Sequence, residues 1–266
     1  MSRPVRIVTT SWDDGHASDL RIAEMLLDRG LRGTFYVPLH PFRDHPALTI
    51  PDMRSMSSAG LEIGAHGIDH EILSELSADE TLRVTTKCKR VLEDRLGANV
   101  SMFCYPRGRY NRTTIRCLQK AGYRGARTTR MGSIHLGFSA FEMPISSQAY
   151  PHTPLGYLRN MARGHSLSAM YDYFIDLRFE SDWVQLGKKL FDRVLQRGGI
   201  WHIYGHSWEI DELGLWDGLK HMLDYASSKD NVLYLTNGGL IDYLTAPSSN
   251  PGHNPHVANN ENPARP

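Results

Sequence analysis

Two adjacent carboxylates, Asp13 and Asp14, close the run Thr9-Thr10-Ser11-Trp12-Asp13-Asp14-Gly15-His16, and no other residues of the chain are better placed to do chemistry. They follow Val5-Arg6-Ile7-Val8-Thr9-Thr10, a β-branched stretch that reads as the first strand. They precede residues 18–29, whose apolar spacing (Leu20, Ile22, Ala23, Met25, Leu26, Leu27) is helical. In strand-then-helix folds ligands bind beyond the carboxyl ends of the strands, so both acids are expected at the functional rim. A second cluster, Gly64-Ala65-His66-Gly67-Ile68-Asp69-His70-Glu71, follows the third strand-like run and offers two imidazoles four residues apart. They face one point if the segment turns helically. Alone, such a pair is more often surface or core histidine than ligand. After one strand, with an Asp-Asp after another, it reads as a metal pattern: one carboxylate oxygen and two imidazole nitrogens leave positions open on Zn²⁺ or a similar ion for water and substrate.

Two further clusters end strands. Phe103-Cys104-Tyr105-Pro106-Arg107-Gly108-Arg109-Tyr110-Asn111 holds Pro and Gly in a tight turn that can aim backbone N–H groups into the mouth, though it also reads as an ordinary strand-to-helix turn. Gly198-Gly199-Ile200-Trp201-His202-Ile203-Tyr204-Gly205-His206-Ser207-Trp208-Glu209 puts His202, Tyr204 and His206 on one strand face, with His206 nearest the rim. His202 reads as a buried imidazole bonded to a neighbour rather than as a catalytic group.

The elements that must position these groups alternate. Strand-like runs recur at residues 33–37, 61–65, 100–104, 200–204 and 232–236, most of them separated by amphipathic helical patterns. The clearest helix covers residues 77–96, with Ser77 as N-cap, Glu80 completing a capping box and Gly97 as the stop. Alternation of this kind predicts an α/β fold with a mainly parallel sheet or a (β/α) barrel. A length of 266 residues, with 41% apolar content, suits one catalytic domain over residues 1–247. Residues 132–182, with Met143-Pro144, Tyr150-Pro151 and Thr153-Pro154, break the rhythm and are expected to be an irregular insertion that covers the sheet or shapes a cleft rather than adding a core unit. Residues 248–266, rich in Pro, Asn and His, are expected to be a disordered tail; His253 and His256 there read as solvated.

A formal net charge of +1 with no basic run argues against a nucleic-acid partner. Met1-Ser2-Arg3-Pro4 enters the first strand directly, so the expectation is a cytoplasmic protein with no integral membrane segment. Cys88, Cys104 and Cys117 are odd in number and lack Cys-x-x-Cys spacing, which fits reduced, packed thiols and neither a disulfide framework nor a zinc ribbon. The oligomeric state is not legible.

Ser11-Trp12-Asp13-Asp14-Gly15, His66-Gly67-Ile68-Asp69-His70, Tyr105-Pro106-Arg107-Gly108 and His206 together resemble the ordered motif series of the polysaccharide deacetylases, carbohydrate esterase family 4, also called the NodB-homology domain. The resemblance implies a distorted (β/α)₇ barrel that uses one divalent ion to hydrolyse N-acetyl groups of an amino-sugar-containing substrate. Zinc is the first expectation, with Co²⁺, Ni²⁺, Mn²⁺ or Fe²⁺ as alternatives. It further implies Asp14, His66 and His70 as metal ligands, Asp13 as general base, the Arg107 backbone N–H as an oxyanion donor and His206 as general acid.

The chain departs from the family pattern at two places. The third motif ordinarily has Arg two residues before its Pro, where this chain has Cys104, and Tyr after it, where this chain has Arg107. Arg127, in Gly125-Ala126-Arg127-Thr128-Thr129-Arg130, could supply the missing charge or lie in a surface salt bridge. The Trp-bearing motif expected before the last His is not recognisable. Three other readings stand beside the deacetylase: the same fold acting on a non-sugar amide or cyclic imide or ureide, a two-His-one-carboxylate Fe(II) oxygenase, which the strand–helix alternation disfavours, and a carbohydrate-binding module without catalysis.

Overall fold

The computed structural model describes residues 4–163, 167–175 and 177–246. A β/α series runs through β1 (Arg6–Asp13), α1 (Asp19–Leu27), β2 (Thr34–Val37), α2 (Ile50–Ser58), β3 (Glu62–Ala65), α3 (Ala78–Leu96), β4 (Met102–Cys104), α4 (Arg112–Lys120) and β5 (Gly125–Arg127). The chain continues with β6 (Ser147–Gln148), α5 (Pro154–Arg163), α6 (Leu167–Ile175), α7 (Trp183–Arg197) and β7 (Gly199–His206). It closes with α8 (Ser207–Glu212), α9 (Trp216–Ala226), β8 (Leu233–Tyr234) and α10 (Asn237–Thr245).

Every pairing between these strands is parallel, in the order β5-β4-β3-β2-β1-β7-β6, with β8 added to β1. The seven strands of the main path curl into a half-barrel, the distorted (β/α)₇ barrel of the sequence reading. β1 is central and buried from Ile7 to Asp13, as a strand covered on both faces must be. Its register runs from Arg6 opposite Gly199 to Asp13 opposite His206, so two chemically active side chains about 190 residues apart in the chain end level at one rim.

Local chemistry closes the elements. The Ser77 hydroxyl accepts from the Glu80 N–H (3.2 Å) at the start of α3, and left-handed Gly97 (φ 68°) ends it. Only half of the expected capping box forms, because the Glu80 carboxylate is engaged by Arg83. At the barrel floor the N-terminus of α10 is anchored by polar contacts: Asn237 bonds the hydroxyls of Thr9 (2.8 Å) and Tyr36 (2.9 Å), and the Gly238 N–H donates to Glu62 (2.9 Å). The main core gathers Trp12, Phe35, Phe191 and Trp201, each fully buried. Burial of one such side chain contributes about 1.5–3 kcal/mol. Cys88, Cys104 and Cys117 are free and buried, as their spacing suggests.

The segment 132–182 does more than cover the sheet. It supplies β6, which pairs with β7 at Ser147–Ile203 and Gln148–Tyr204, and it buries Ile145, Tyr157 and Tyr173. A two-residue strand of polar residues carries no apolar alternation, so nothing in the sequence marks it. The Ser146 hydroxyl stands in for ladder groups, donating to Ser133 and accepting from the His202 N–H (3.0 Å). The expected tail, with His253 and His256, lies outside the described residues. Among the described residues no helix is long and apolar enough to cross a membrane.

Candidate active site

The end of β1 sends two successive carboxylates in different directions. Asp13 is still strand and nearly fully buried, whereas Asp14 takes a left-handed backbone (φ 76°). Arg127, at the end of β5 and fully buried, bonds Asp13 Oδ1, while its guanidinium lies 4.5 Å from the Tyr204 ring centre and 5.4 Å from that of Tyr36. Cys104 Sγ lies 3.6 Å from Asp13 Oδ2. Burial would raise the Asp13 pKa, but Arg127, His66 and His206 outweigh it and bring it to about 2. Asp13 is therefore ionised across the working pH range.

Asp14 points toward the two histidines. Its Oδ2 accepts from the Trp208 indole N–H (2.9 Å), and its Oδ1, buried and without a hydrogen-bond partner, lies 3.6 Å from both His66 Nε2 and His70 Nε2. His66 Nδ1 sits 2.9 Å from the Cys104 carbonyl. A carbonyl can only accept, so Nδ1 carries a proton there and Nε2 is the ring atom turned toward Asp14. Burial, and then His66, push the His70 pKa down to about 4, which leaves that ring neutral.

The loop that carries the two histidines is not helical. It is a turn through Gly67 (φ 89°) and left-handed His70 (φ 57°), tied to the end of β2 by Leu39 N–H to Gly67 O and His40 N–H to Ile68 O, both 3.1 Å. Glu71 closes it by accepting from the Ile68 N–H (2.9 Å). A side chain at Gly67 would place Cβ 2.8 Å from the Glu71 carboxylate.

His206, at the end of β7, lies across from this group, with Nε2 3.9 Å from Asp13 Oδ2 and 4.0 Å from Asp14 Oδ2. Its Nδ1–H donates to Glu209 at 2.7 Å. Burial works against the charged ring, but Glu209, Asp13 and Asp14 prevail and raise its pKa to about 8. The sequence analysis assigned no carboxylate partner to His206. The signal was present: once α8 begins at Ser207, His206 and Glu209 stand at i and i+3 across its first turn. Trp208, to which the sequence assigned no bonding partner, donates its indole N–H to Asp14.

His202 is fully buried and donates from Nδ1 to the Pro144 carbonyl (3.0 Å) while Nε2 accepts from the Ser11 hydroxyl (2.9 Å). Burial and Arg127 push its pKa to about 3, so it is a neutral core imidazole. Arg107, left-handed at φ 56°, lies in the turn after β4, where Gly108 leaves no room for a Cβ against the Thr129 hydroxyl. All of the predicted site residues but Arg127 line one cleft of about 1560 Å³; Arg127 sits behind Asp13.

A second grouping, Asp13, His66 and Cys104, also has its donor atoms within 4.8 Å of one another. It is the poorer cradle, because Arg127 already occupies Asp13 and burial holds the Cys104 thiol protonated. The Asp14 set has one unpartnered carboxylate oxygen facing two imidazole Nε2 atoms, the donor chemistry that a divalent ion takes.

A parallel half-barrel with acids and imidazoles gathered at the carboxyl ends of its strands is the (β/α)₇ fold of the carbohydrate esterase family 4 structures. The family model Polysaccharide deacetylase matches residues 2–126 of the chain, in line with the resemblance read from the motifs. That match takes in Asp13, Asp14, His66, His70 and Arg107 and stops before Arg127 and His206. A polysaccharide deacetylase-like protein of Bacillus subtilis, YxkH, is 26% identical over 129 residues, 48% of this chain and 46% of that one, so the chain spans about half the length of this curated relative. In fold, the chain is similar to a Mycobacterium smegmatis protein assigned to the polysaccharide deacetylases (TM-score 0.65, 17% identity, 91% of each chain). It is also similar to a family 4 carbohydrate esterase from Streptomyces lividans solved with acetate (TM-score 0.52, 14% identity, 87% and 92%).

Proposed function

We propose that this protein removes N-acetyl groups from an amino-sugar-containing glycan, using one divalent ion held by Asp14, His66 and His70. The observation that carries the reading is Asp14 Oδ1, a buried carboxylate oxygen with no hydrogen-bond partner, set 3.6 Å from each of two Nε2 atoms. A buried polar atom left unsatisfied is costly, and a cation between the three donors removes the cost. One oxygen and two imidazole nitrogens suit zinc, with Co²⁺, Ni²⁺, Mn²⁺ or Fe²⁺ as alternatives. When bound, such an ion lowers the pKa of water from about 16 toward 7 and polarises a carbonyl oxygen.

The protein groups supply the remaining chemistry. Asp13, ionised and fixed through Oδ1 by Arg127, accepts the proton of the attacking water. The Arg107 backbone N–H donates to the oxyanion; a donor of this kind is worth about 3–4 kcal/mol. His206, held protonated by Glu209, gives its proton to the departing amine. A cleft of about 1560 Å³ is larger than the usual small-molecule pocket of about 300–1000 Å³, which supports an oligomeric glycan over a small cyclic amide. Arg127 at Asp13 supplies the charge absent at Cys104, and this supports an active enzyme over a catalytically silent binding module.

The test combines elemental analysis with acetate release from N-acetylhexosamine oligomers. Asp14→Ala, His66→Ala and His70→Ala are expected to lose metal. Asp13→Asn is expected to retain it and to lose about 10²–10⁴-fold in rate. Full metal occupancy in all three ligand variants would end the reading.

A further inference from the structure

The cleft carries more positive charge than this hydrolysis uses. Apart from Asp14, the proposed metal ligand, its acids are answered one by one: Asp13 by Arg127, Glu209 by His206, Glu75 by Arg109, and Glu142 by Tyr110 and Arg130. Arg43 and Arg107 are exposed on the cleft wall and have no carboxylate partner among the described side chains. The Arg43 guanidinium lies 4.9 Å from the Phe42 ring centre and 5.9 Å from that of Trp208. Phe42 in turn packs 4.6 Å from the His70 ring. Arg43 follows β2, His70 follows β3 and Arg107 follows β4, three neighbouring strands, so the two arginines flank the proposed metal ligand His70.

Their backbone points the same way. Eight described non-glycine residues have left-handed φ, and four of them, Asp14, Arg43, His70 and Arg107, line this cleft. Glycine takes that conformation without penalty, so a long cationic side chain held there calls for a use of the side chain. A planar guanidinium matches a carboxylate or phosphate through two parallel hydrogen bonds.

We infer that Arg43 and Arg107 form an anion-recognising pair that selects a glycan carrying a carboxylate or phosphate group beside the N-acetylated sugar being deacetylated. The inference rests on the hydrolase reading and names the substrate class of that site. Charged hydrogen bonds of this kind give about tenfold in affinity for each arginine.

The test is calorimetric binding of three probes to the metal-loaded protein: an N-acetylglucosamine–glucuronate tetrasaccharide, UDP-N-acetylglucosamine, and neutral tetra-N-acetylchitotetraose. At least one acidic probe is expected to bind about tenfold or more tighter than the neutral one, and which of the two does so separates carboxylate from phosphate. Arg43→Gln and Arg107→Gln should each reduce that preference by about tenfold. Arg43→Gly, free of the left-handed strain, should keep or raise the melting temperature while losing the preference; a merely structural Arg43 would show the reverse. Absence of the preference in the wild type, or its survival in both Gln variants, overturns the inference. Acetate release is read in parallel: its absence with every probe ends the hydrolase reading, whereas the binding ratio alone decides the arginine pair.

Discussion

Arg127→Met tests the electrostatics on which the proposed base depends. In the native protein Asp13 and Arg127 are both buried, and the carboxylate pKa falls from 3.8 to about 2. A depressed carboxylate contributes stability that is present above 3.8 and lost as pH falls through about 2. Here that contribution is roughly 2.5 kcal/mol. Methionine of similar length removes the bonded cation and leaves the buried Asp13 charge with only the imidazoles of His66 and His206 about it; breaking a buried pair in this way costs about 3–5 kcal/mol at neutral pH. Burial alone raises a carboxylate pKa, so Asp13 in the variant should titrate above its native value and become neutral as pH drops.

The destabilisation by Arg127→Met should therefore be largest near pH 7 and shrink by half or more near pH 4. Urea unfolding of chelator-treated protein at the two pH values measures it, and chelation keeps bound metal out of the comparison. Arg127→Lys restores the charge without the planar fork and should fall between the two. An equal loss at pH 7 and pH 4 would show that Arg127 acts by packing alone, and the assigned charge pairing would be wrong.

Two further outcomes follow from the same geometry. Glu209→Gln should lower the His206 pKa from about 8, and because the imidazolium is the proposed general acid, the basic limb of the kcat/KM profile should move to lower pH by about a unit or more, with partial rescue by Glu209→Asp. An unmoved limb would remove Glu209 as the positioning residue for His206. Gly67→Ala, at φ 89° with Cβ set 2.8 Å from Glu71, should cost about 1–2 kcal/mol of loop strain and weaken metal affinity by roughly tenfold in a competitive chelator titration; unchanged affinity would show that the turn does not set the His66–His70 spacing.

Much of the scaffold was legible because most of its strands are short apolar or β-branched runs and its helices are amphipathic. Those patterns fix the burial of a segment, and burial follows composition. β6 escaped because Ser147 and Gln148 earn their place through bonds to β7 rather than through apolar character. The His66–His70 spacing suggested a shared focus correctly but for the wrong reason, since Gly67 and a left-handed His70 make a turn where a helix was expected. Trp208 and Glu209 could not be assigned from the sequence until the start of α8 was known. Their partners, Asp14 and His206, belong to strands brought level by the β1–β7 register, which pairs residues far apart in the chain.

Arg127 lay between the two: the sequence named it, and the sheet register fixed its place. The family pattern asks for an arginine where this chain has Cys104, and read along the sequence the charge is missing. In the sheet, β4 and β5 are neighbours, and their register sets Cys104 directly opposite Arg127. The two side chains therefore leave adjacent strands at the same height above the barrel floor, and both reach Asp13: Cys104 Sγ at 3.6 Å from Oδ2, and Arg127 on Oδ1. What the proposed base requires is a cation at one level of the rim, and the lateral step of about 4.8 Å between strands is well within reach of an arginine side chain. The sequence named Arg127 as one source of this charge and left a surface salt bridge as the other; the register and its full burial decide for Asp13. The departure at Cys104 thus relocates the supporting charge by one strand and leaves the electrostatics of Asp13 intact.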